Sequence, residues 1–243
     1  MLNEPTIDDV KAFWDARPCN VRHSPLEVGT REYFDQVEER KYLVEPHIPA
    51  FADFAGWQGK RVLEIGCGIG TDAVNFARNG AEYVGIDVSA ESLEIAERRF
   101  QIFGLKGHFF CGNAESVTDL VGDEQPFDLI YSFGVIHHTP NPGAVLSSAR
   151  RLCHANSQLR LMVYAKNSWK AAMIDAGLDQ PEAQFGCPIA DTFTEEELTD
   201  LLKSAGFRVE EVWQDHIFPY DVDAYRRYEY VRKSWFEAMD VEM

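Results

Sequence analysis

The feature that most constrains this chain is the run VLEIGCGIG at residues 62–70, where an apolar stretch leads into three glycines separated by single residues. The pattern predicts a buried strand, a glycine turn and then a helix. A dinucleotide-binding turn reads G-x-G-x-x-G, and here the position two spacers after Gly68 is not glycine. Glu64 at the head of the turn would repel a pyrophosphate but suits an ammonium group, and Asp87 ends the next apolar run. The spacing therefore favours a nucleoside cofactor that carries an amino acid.

Four further motifs follow the glycine turn, and with it they resemble the class I S-adenosylmethionine-dependent methyltransferases. The motifs read VGIDVS, CGNAES, FDLIYSFGVIHHTPNP and FTEEELTDLLKSAGF. The resemblance covers roughly residues 59–216. It implies an α/β fold with a doubly wound, mostly parallel sheet of six or seven strands. It also implies S-adenosylmethionine as the cofactor and S-adenosylhomocysteine as the product.

The order of apolar runs and helical patterns agrees with that architecture, because alternating strands and helices favour a parallel sheet with helices on both faces. The family's seventh strand has no clear counterpart. The only β-like run after Trp213 is His216-Ile217-Phe218, and Pro219 stops it. We therefore expect either a very short seventh strand or none, and in the second case the edge beside the sixth strand is left open to a partner chain. The predicted strands cover residues 61–65, 83–86, 108–111, 127–131, 159–164 and 207–213.

The rest of the chain divides into a cap and additions to the methyltransferase domain, which is predicted to cover residues 56–243. Residues 1–55 are rich in aromatic side chains and are predicted to form a helical cap. Residues 166–193 form a long insertion of the kind that often acts as a lid. Residues 221–243 are predicted to form a C-terminal helix, whose apolar face needs a partner. That partner is either the chain's own cap or a second subunit, which leaves a homodimer open. The face comprises Tyr228, Val231, Trp235 and Met239.

The resemblance places the cofactor at the carboxyl ends of the first four strands. Glu64 would take the amino-acid end, and the glycines would let the backbone approach the ligand without a Cβ clash. Asp87 would accept from two ribose hydroxyls. Asn113 stands where the family places the adenine edge, and a helix N-cap explains it equally well. The residues expected to bind the cofactor are Glu64, Gly66, Cys67, Gly68, Gly70, Asp87, Val88, Asn113, Ala114, Glu115 and Ser132.

Side chains from the cap are further candidates. Similar proteins use a tyrosine or an arginine from such a helix to bind the methionine carboxylate. This makes Tyr33 the expected cofactor ligand from the cap, and Arg40 and Tyr42 share its helical stretch. An amphipathic helix with solvated charges explains these residues equally well.

The catalytic candidates are His137 and His138, which follow the fourth predicted strand where the family exposes the methyl donor. An imidazole titrates close to neutral pH and can serve as a general base on a hydroxyl or an amine. The alternative is that both histidines hold the loop by hydrogen bonds to backbone or cofactor. A metal site is not expected, because adjacent side chains point apart and no third ligand has suitable spacing.

The charge balance of the chain disfavours some classes of binding partner. The chain has 23 Lys and Arg against 40 Asp and Glu, a formal charge of −17. Such a surface repels phosphate backbones, so neither a nucleic acid nor a bulk anionic membrane is expected as a partner. The five cysteines form no C-x-x-C pair, which suits reduced thiols in the cytoplasm. No signal pattern or apolar run long enough to span a bilayer is present.

Together these features predict methyl transfer to a small, aromatic or apolar acceptor by in-line displacement. The methylated atom, whether oxygen, nitrogen or carbon, does not follow from the motifs. Two alternatives remain open: a protein or RNA methyltransferase, and a cofactor-binding protein of the same fold without methyltransferase activity.

Overall fold

The computed structural model describes residues 4–122, 125–179, 186–214 and 218–238. Within these ranges the strands form one parallel five-stranded sheet, in the order β3-β2-β1-β4-β5. The strands are β1 Arg61–Ile65, β2 Glu82–Asp87, β3 His108–Cys111, β4 Phe127–Phe133 and β5 Cys153–Met162. The helices are α1 Ile7–Ala16, α2 Arg31–Val44, α3 Ile48–Ala52, α4 Thr71–Arg78, α5 Ala90–Phe103, α6 Val117–Val121, α7 Pro142–Arg151, α8 Trp169–Asp175, α9 Glu195–Ser204, α10 Val222–Arg226 and α11 Ser234–Glu237.

The sheet is buried on both faces, as its continuous apolar strands require. Successive residues of a strand point to opposite faces, so Leu63 packs toward α6, α7 and α9, whereas Val62 packs toward α3, α4 and α5. Glu64 shares the face of Val62 and pairs in register with Gly85 on β2 and Tyr131 on β4. The strand order reverses between β1 and β4, and in open parallel sheets a ligand binds in the crevice at this point. The sequence prediction of a doubly wound α/β sheet is confirmed.

Helix starts follow the capping signals in the sequence. Thr6 caps α1 and Thr194 caps α9, each in a reciprocal capping box with the acidic residue three positions later. Ser89 caps α5 directly after β2, and Asn141 caps α7 directly after the β4 loop. The connection from β2 to α5 is therefore only two residues long, whereas residues 134–141 between β4 and α7 leave room for the histidine turn.

The sixth strand, predicted over residues 207–213, is not formed. This segment has no strand pairing, although Phe207 and Val209 pack on the core formed by β1, β4 and α7. The apolar alternation in the sequence therefore reports packing against one face of the sheet. A strand also needs a neighbouring ladder of hydrogen bonds, and none is provided to this segment by the described residues. His216 and Ile217, part of the β-like run considered for a seventh strand, lie outside the described residues.

The continuous C-terminal helix predicted over residues 221–243 is also wrong where the chain is described. Two short helices, α10 and α11, are separated by a turn in which Tyr228 has a φ of 65°. A left-handed residue cannot continue an α-helix, and an antiparallel bridge between Tyr220 and Arg232 folds the segment back on itself. The helical face that suggested a homodimer is thus absent from the described residues, and Met239 lies outside them. No helix in the described ranges is long and apolar enough to cross a membrane.

Candidate active site

The glycine turn between β1 and α4 forms an open cradle. Gly66, Gly68 and Gly70 have φ values of 78°, 52° and 76°, which side chains rarely adopt. A Cβ on Gly66 would lie 2.3 Å from Val135, so this glycine is required by protein packing. A Cβ on Gly68 would meet no protein atom within 4 Å and would project into open space. The turn can therefore hold a ligand close to its backbone at Gly68.

Glu64 is buried beneath this cradle, with a relative exposure of 4%. Its carboxylate accepts a hydrogen bond from the Tyr83 hydroxyl at 2.6 Å. Burial, together with the neighbouring charge of Asp72, raises the pKa of Glu64 well above its ordinary value. A cationic group next to this carboxylate would stabilise its ionised form. The site at Glu64 therefore suits the ammonium that the sequence pattern indicated.

Asp87 at the end of β2 closes the other side of the cradle. One carboxylate oxygen accepts from the backbone nitrogen of Gly68 at 2.8 Å, and the other accepts from Ser89 at 2.9 Å. Burial above all raises the pKa of Asp87, and the nearby charge of Asp15 on α1 contributes. Each carboxylate oxygen has a further lone pair. Asp87 can therefore accept from a diol without giving up the contacts that position it.

The remaining residues predicted at strand ends mainly hold the loops. Asn113 accepts from the backbone of Glu115 at 3.0 Å, as its N-cap interpretation predicts, and Glu115 accepts from the backbone of Asn141 at 2.8 Å. This pair joins the β3 loop to the start of α7. Ser132 is buried and donates to the Ile65 carbonyl at 3.2 Å, which joins β4 to the end of β1. Cys67, Val88 and Ala114 lie in the same loops.

A buried polar network next to Glu64 had not been recognised in the sequence. Asp72, at the start of α4, is 2.7 Å from the Lys41 ammonium and accepts from the hydroxyls of Tyr42 and Tyr131 at 3.0 Å each. Lys41 and Tyr42 lie on α2, so the network fastens the cap to the glycine turn. An acidic residue two positions after the third glycine was the available signal, but its partners come from distant parts of the chain.

Tyr33, predicted to bind the cofactor, does not line the cradle. Its side chain is fully buried, and its hydroxyl donates to the Val21 carbonyl at 2.8 Å. It packs with Phe34 and Val37 against Ile69 of the glycine turn. The helical spacing correctly predicted α2, but the inward face of that helix supplies Tyr33 to a core. The residue supports the turn from outside and has no free hydroxyl to offer a ligand.

His137 and His138 occupy a short 3₁₀ turn after β4 and differ in their surroundings. His137 is completely buried, packs against Tyr164 with the ring centroids 4.0 Å apart, and has no partner for either ring nitrogen among the described residues. Nδ1 of His138 lies 2.6 Å from the Ile189 carbonyl. Burial lowers the pKa of both imidazoles, so both are neutral at pH 7. Only His138 is oriented by a hydrogen bond.

The cap and the segment after α8 meet at His138. The ring of Trp14 on α1 lies 5.5 Å from the His138 ring. Cys187 and Ile189 also contact His138, with the Cys187 sulfur 3.5 Å from Nδ1. The backbone of Asp191 donates to the His137 carbonyl at 2.9 Å. Thus α1 and residues 186–193 both contact the histidine turn that follows β4.

The fold and the cradle define the class. A parallel sheet whose β1 ends in a three-glycine turn, with an acidic head and an acidic end to β2, is the arrangement of a class I methyltransferase. Comparison with known structures agrees with this fold. Magnesium protoporphyrin IX methyltransferase from Synechocystis, solved with bound S-adenosylhomocysteine, superposes with a TM-score of 0.60 at 16% identity. The superposition covers 83% of this chain and 90% of that protein.

The family follows from sequence comparison. A family described as "Methyltransferase domain" matches residues 37–212. The chain therefore belongs to the S-adenosylmethionine-dependent methyltransferases, and S-adenosylmethionine is its cofactor.

Two curated relatives are ubiquinone biosynthesis O-methyltransferases. One, from Neisseria meningitidis, is 28% identical over 60% of this chain and 70% of its own length. Another, from Dechloromonas aromatica, is 32% identical over 49% of this chain and 51% of its own length. Other relatives of the same name are matched over about half their length, 52% and 50% in two cases.

The residues of the cradle fit the cofactor. The open space above Gly68 and the acceptor Asp87 suit the nucleoside, and buried Glu64 suits the amino-acid ammonium. Among the residues that the structure describes, no group of three or more His, Cys, Asp or Glu side chains could hold a metal ion.

Proposed function

We propose that this protein transfers a methyl group from S-adenosylmethionine to a hydroxyl of a small, ring-bearing acceptor, with His138 as general base. One observation carries the proposal: His138 is fixed at the end of β4, where Trp14 of the cap and Ile189 of the lid converge on it. The names of the curated relatives support oxygen as the methylated atom.

The cofactor supplies a methyl group already activated by a sulfonium, so the protein's part is positioning, exclusion of water and removal of a proton. Aligning the reacting partners can lower the activation free energy by about 7–11 kcal/mol. Gly66, Gly68 and Gly70 would hold the ligand against the backbone. Glu64 would bind its ammonium, and Asp87 would bind its ribose.

The hydrogen bond of His138 determines which nitrogen can act as the base. The Ile189 carbonyl can only accept, so Nδ1 of His138 carries the proton and Nε2 offers its lone pair. A proton from an acceptor hydroxyl would move to Nε2, leaving the oxygen to attack the methyl carbon. Burial lowers the pKa of His138 and keeps the lone pair available at neutral pH. His137 has no such orientation and is assigned to the wall of the site.

Aromatic side chains beside the end of β4 suit a planar or apolar acceptor. The Phe133 ring lies 5.8 Å from Phe51 and 5.7 Å from His47, and Phe51 lies 5.9 Å from Trp213. Tyr164 adds a further ring after β5, packed against His137 with the centroids 4.0 Å apart. Aromatic pairs of this kind favour offset or edge-to-face contact with another ring. This wall supports a ring-bearing acceptor over an extended peptide.

The cofactor assignment is tested by calorimetric titration with S-adenosylmethionine. Asp87→Ala should bind it much more weakly, because a charge-assisted contact to two hydroxyls is removed. Asp223→Ala, which removes an exposed carboxylate from the distant tail, is the control and should bind normally. Equal affinities of the wild type and Asp87→Ala would show that Asp87 does not bind the ribose.

The acceptor assignment is tested by S-adenosylhomocysteine release with phenols, catechols and ring amines, and with an RNA and a protein substrate. We expect turnover with hydroxylated rings. His138→Gln should lower kcat by roughly 10²–10⁴-fold with cofactor affinity unchanged, and His137→Gln should lower it less. Turnover only with RNA or protein would support a protein or RNA methyltransferase instead. Cofactor binding without turnover on any acceptor would support a non-catalytic protein.

A further inference from the structure

Arg40 on α2 is enclosed by tyrosines of the C-terminal tail, here meaning residues 218–238. Its side chain has a relative exposure of 5%, and its guanidinium carbon lies 3.9 Å from the Tyr225 ring centroid and 4.3 Å from that of Tyr228. Nη2 donates to the Tyr225 carbonyl. Nε and Nη1 are buried and have no acceptor among the described residues. Tyrosine rings therefore pack on the guanidinium, whereas the N–H groups of Nε and Nη1 make no hydrogen bond among the described residues.

Arg99 is a second buried arginine, in which both terminal nitrogens have acceptors and only Nε has none among the described residues. That side chain is fully buried on α5 and donates to the Phe34 carbonyl at 2.8 Å, to the Thr71 hydroxyl at 2.6 Å and to the Ile69 carbonyl at 3.3 Å. Arg40 has one acceptor and takes part in none of the ion pairs found among the described residues. A buried cation left in this state is costly unless an anion joins it.

A second unused polar atom lies in the same cluster. Nε2 of His23 is 3.0 Å from the Tyr225 hydroxyl, while Nδ1 of His23 is buried and has no partner among the described residues. Tyr225 thus contacts both side chains, with its ring on Arg40 and its hydroxyl on His23. Unsatisfied buried polar groups normally have a partner in the functional state. Two such side chains joined by one tyrosine indicate a ligand site rather than a packing defect.

We propose that the junction of α2 with the tail is a binding site for a carboxylate or phosphate group, with Arg40 as its main donor and His23 beside it. Oxyanions match a guanidinium because they accept several N–H donors at once. The site differs from the cofactor cradle, because the next residue, Lys41, extends to Asp72 while Arg40 extends to the tail. The tail must lift to admit the anion, since the unused nitrogens are sealed from solvent.

Closure over the anion would also affect the lid. Lys233 of the tail is 2.7 Å from Asp179, just after α8, and donates to the Phe218 carbonyl at 3.0 Å. Tyr228 donates to the Arg22 carbonyl of the cap at 3.0 Å. The tail therefore contacts both the cap and the segment that leads to Ile189. An anion held at Arg40 would fasten this connection.

The test is calorimetric titration of the full chain with inorganic phosphate and, separately, with benzoate, at constant ionic strength. We expect saturable binding of at least one probe. The probe that binds more tightly shows whether the site prefers a phosphate or a carboxylate. Arg40→Met should weaken it by about tenfold or more, and Arg40→Lys should restore part of it. Arg226→Gln removes an exposed positive charge from the same tail and is the control. It should bind like the wild type.

Hydrogen exchange over residues 218–232 provides the second measurement. The bound probe should slow exchange in this segment in the wild type and in Arg226→Gln, and not in Arg40→Met. Circular dichroism establishes that each variant is folded. No saturable binding of either probe to the wild type, or equal binding to Arg40→Met, would overturn the proposal. A loss confined to S-adenosylmethionine affinity in Arg40→Met would also overturn it, because Arg40 would then belong to the cofactor site.

Discussion

Removing the Lys41 ammonium tests how strongly the cap is fastened to the glycine turn. Lys41 and Asp72 form an ion pair at 2.7 Å, with side-chain exposures of 11% and 1%. Lys41→Met keeps most of the aliphatic stem but leaves the Asp72 carboxylate buried without its cation. Breaking a buried pair in this way costs about 3–5 kcal/mol. The hydroxyls of Tyr42 and Tyr131 still donate to Asp72, so we expect the lower part of that range, about 3 kcal/mol.

Urea unfolding followed by tryptophan fluorescence measures this loss. A change of about 3 kcal/mol corresponds to roughly 6–12 °C in Tm for a chain of this size. The double variant Lys41→Met/Asp72→Asn removes both charges and should recover part of the lost stability, because no uncompensated charge remains. Burial is the largest single influence on the pKa of Lys41 and lowers it, but the charge and hydrogen bond of Asp72 together with the charges of Glu45 and Glu64 outweigh burial, so the pKa is raised. The pair's contribution is therefore complete below about pH 10 and disappears only as the pH rises through that raised value.

Two results would refute this reasoning. A loss below about 1 kcal/mol for Lys41→Met would match a solvated surface pair, so the pair would not be buried in solution. A double variant that is less stable than Lys41→Met by several kcal/mol would show that Asp72 is stabilised without Lys41. In either case the cap would not be fastened to the turn through this pair.

Three further outcomes are expected. Gly68→Ala should lose only about 1 kcal/mol of stability from its left-handed backbone, but it should weaken S-adenosylmethionine binding about tenfold. The control Gly104→Ala, which is also left-handed and faces open space, should leave binding unchanged. Equal affinities of the two variants would contradict the assignment of the cradle to the cofactor. Burial lowers the pKa of His137, so protons bind the unfolded state first and the free energy of unfolding should fall as pH drops below about 6.5. His137→Phe should reduce that slope by up to about 1.4 kcal/mol per pH unit, and an unchanged slope in urea titrations would contradict it. Cofactor binding should slow hydrogen exchange in residues 4–55 and 186–193, and no added protection in either would refute closure.

The sequence predicted the elements whose signals are local. The glycine turn, the Ser89 and Thr194 caps and the apolar strands depend on near neighbours in the chain, and β1 has the predicted bounds Arg61–Ile65. The sixth strand was mispredicted because alternation reports which face is buried, while a strand also needs a neighbour to pair with. The prediction of one helix over the tail was wrong because Tyr228 adopts a positive φ, and no residue typical of turns marks this position in the sequence.

The site was predicted unevenly for the same reason. Glu64, the glycines and Asp87 were found because a strand end and a turn place them together within a short stretch of chain. Lys41 was not singled out and Arg40 was left with two explanations, since adjacent residues on one helix extend to Asp72 and to the tail respectively. Tyr33 was misplaced because its helical position is compatible with facing either the cradle or the core. Such choices depend on how the cap packs, which no local pattern encodes.

The position of α1 has a consequence for the order of events during turnover. Asp15 near one end of this helix lies close enough to Asp87 to influence its pKa, and Trp14 beside it contacts His138. One helix thus lies beside both the proposed ribose ligand Asp87 and the proposed base His138, and we expect the two ligands to enter past it. A shared entrance implies compulsory-order kinetics, in which the deeper ligand enters first and its spent form leaves last. S-adenosylhomocysteine would then inhibit competitively against S-adenosylmethionine and noncompetitively against the acceptor, so the ratio of the two nucleosides would set the rate at which the enzyme works.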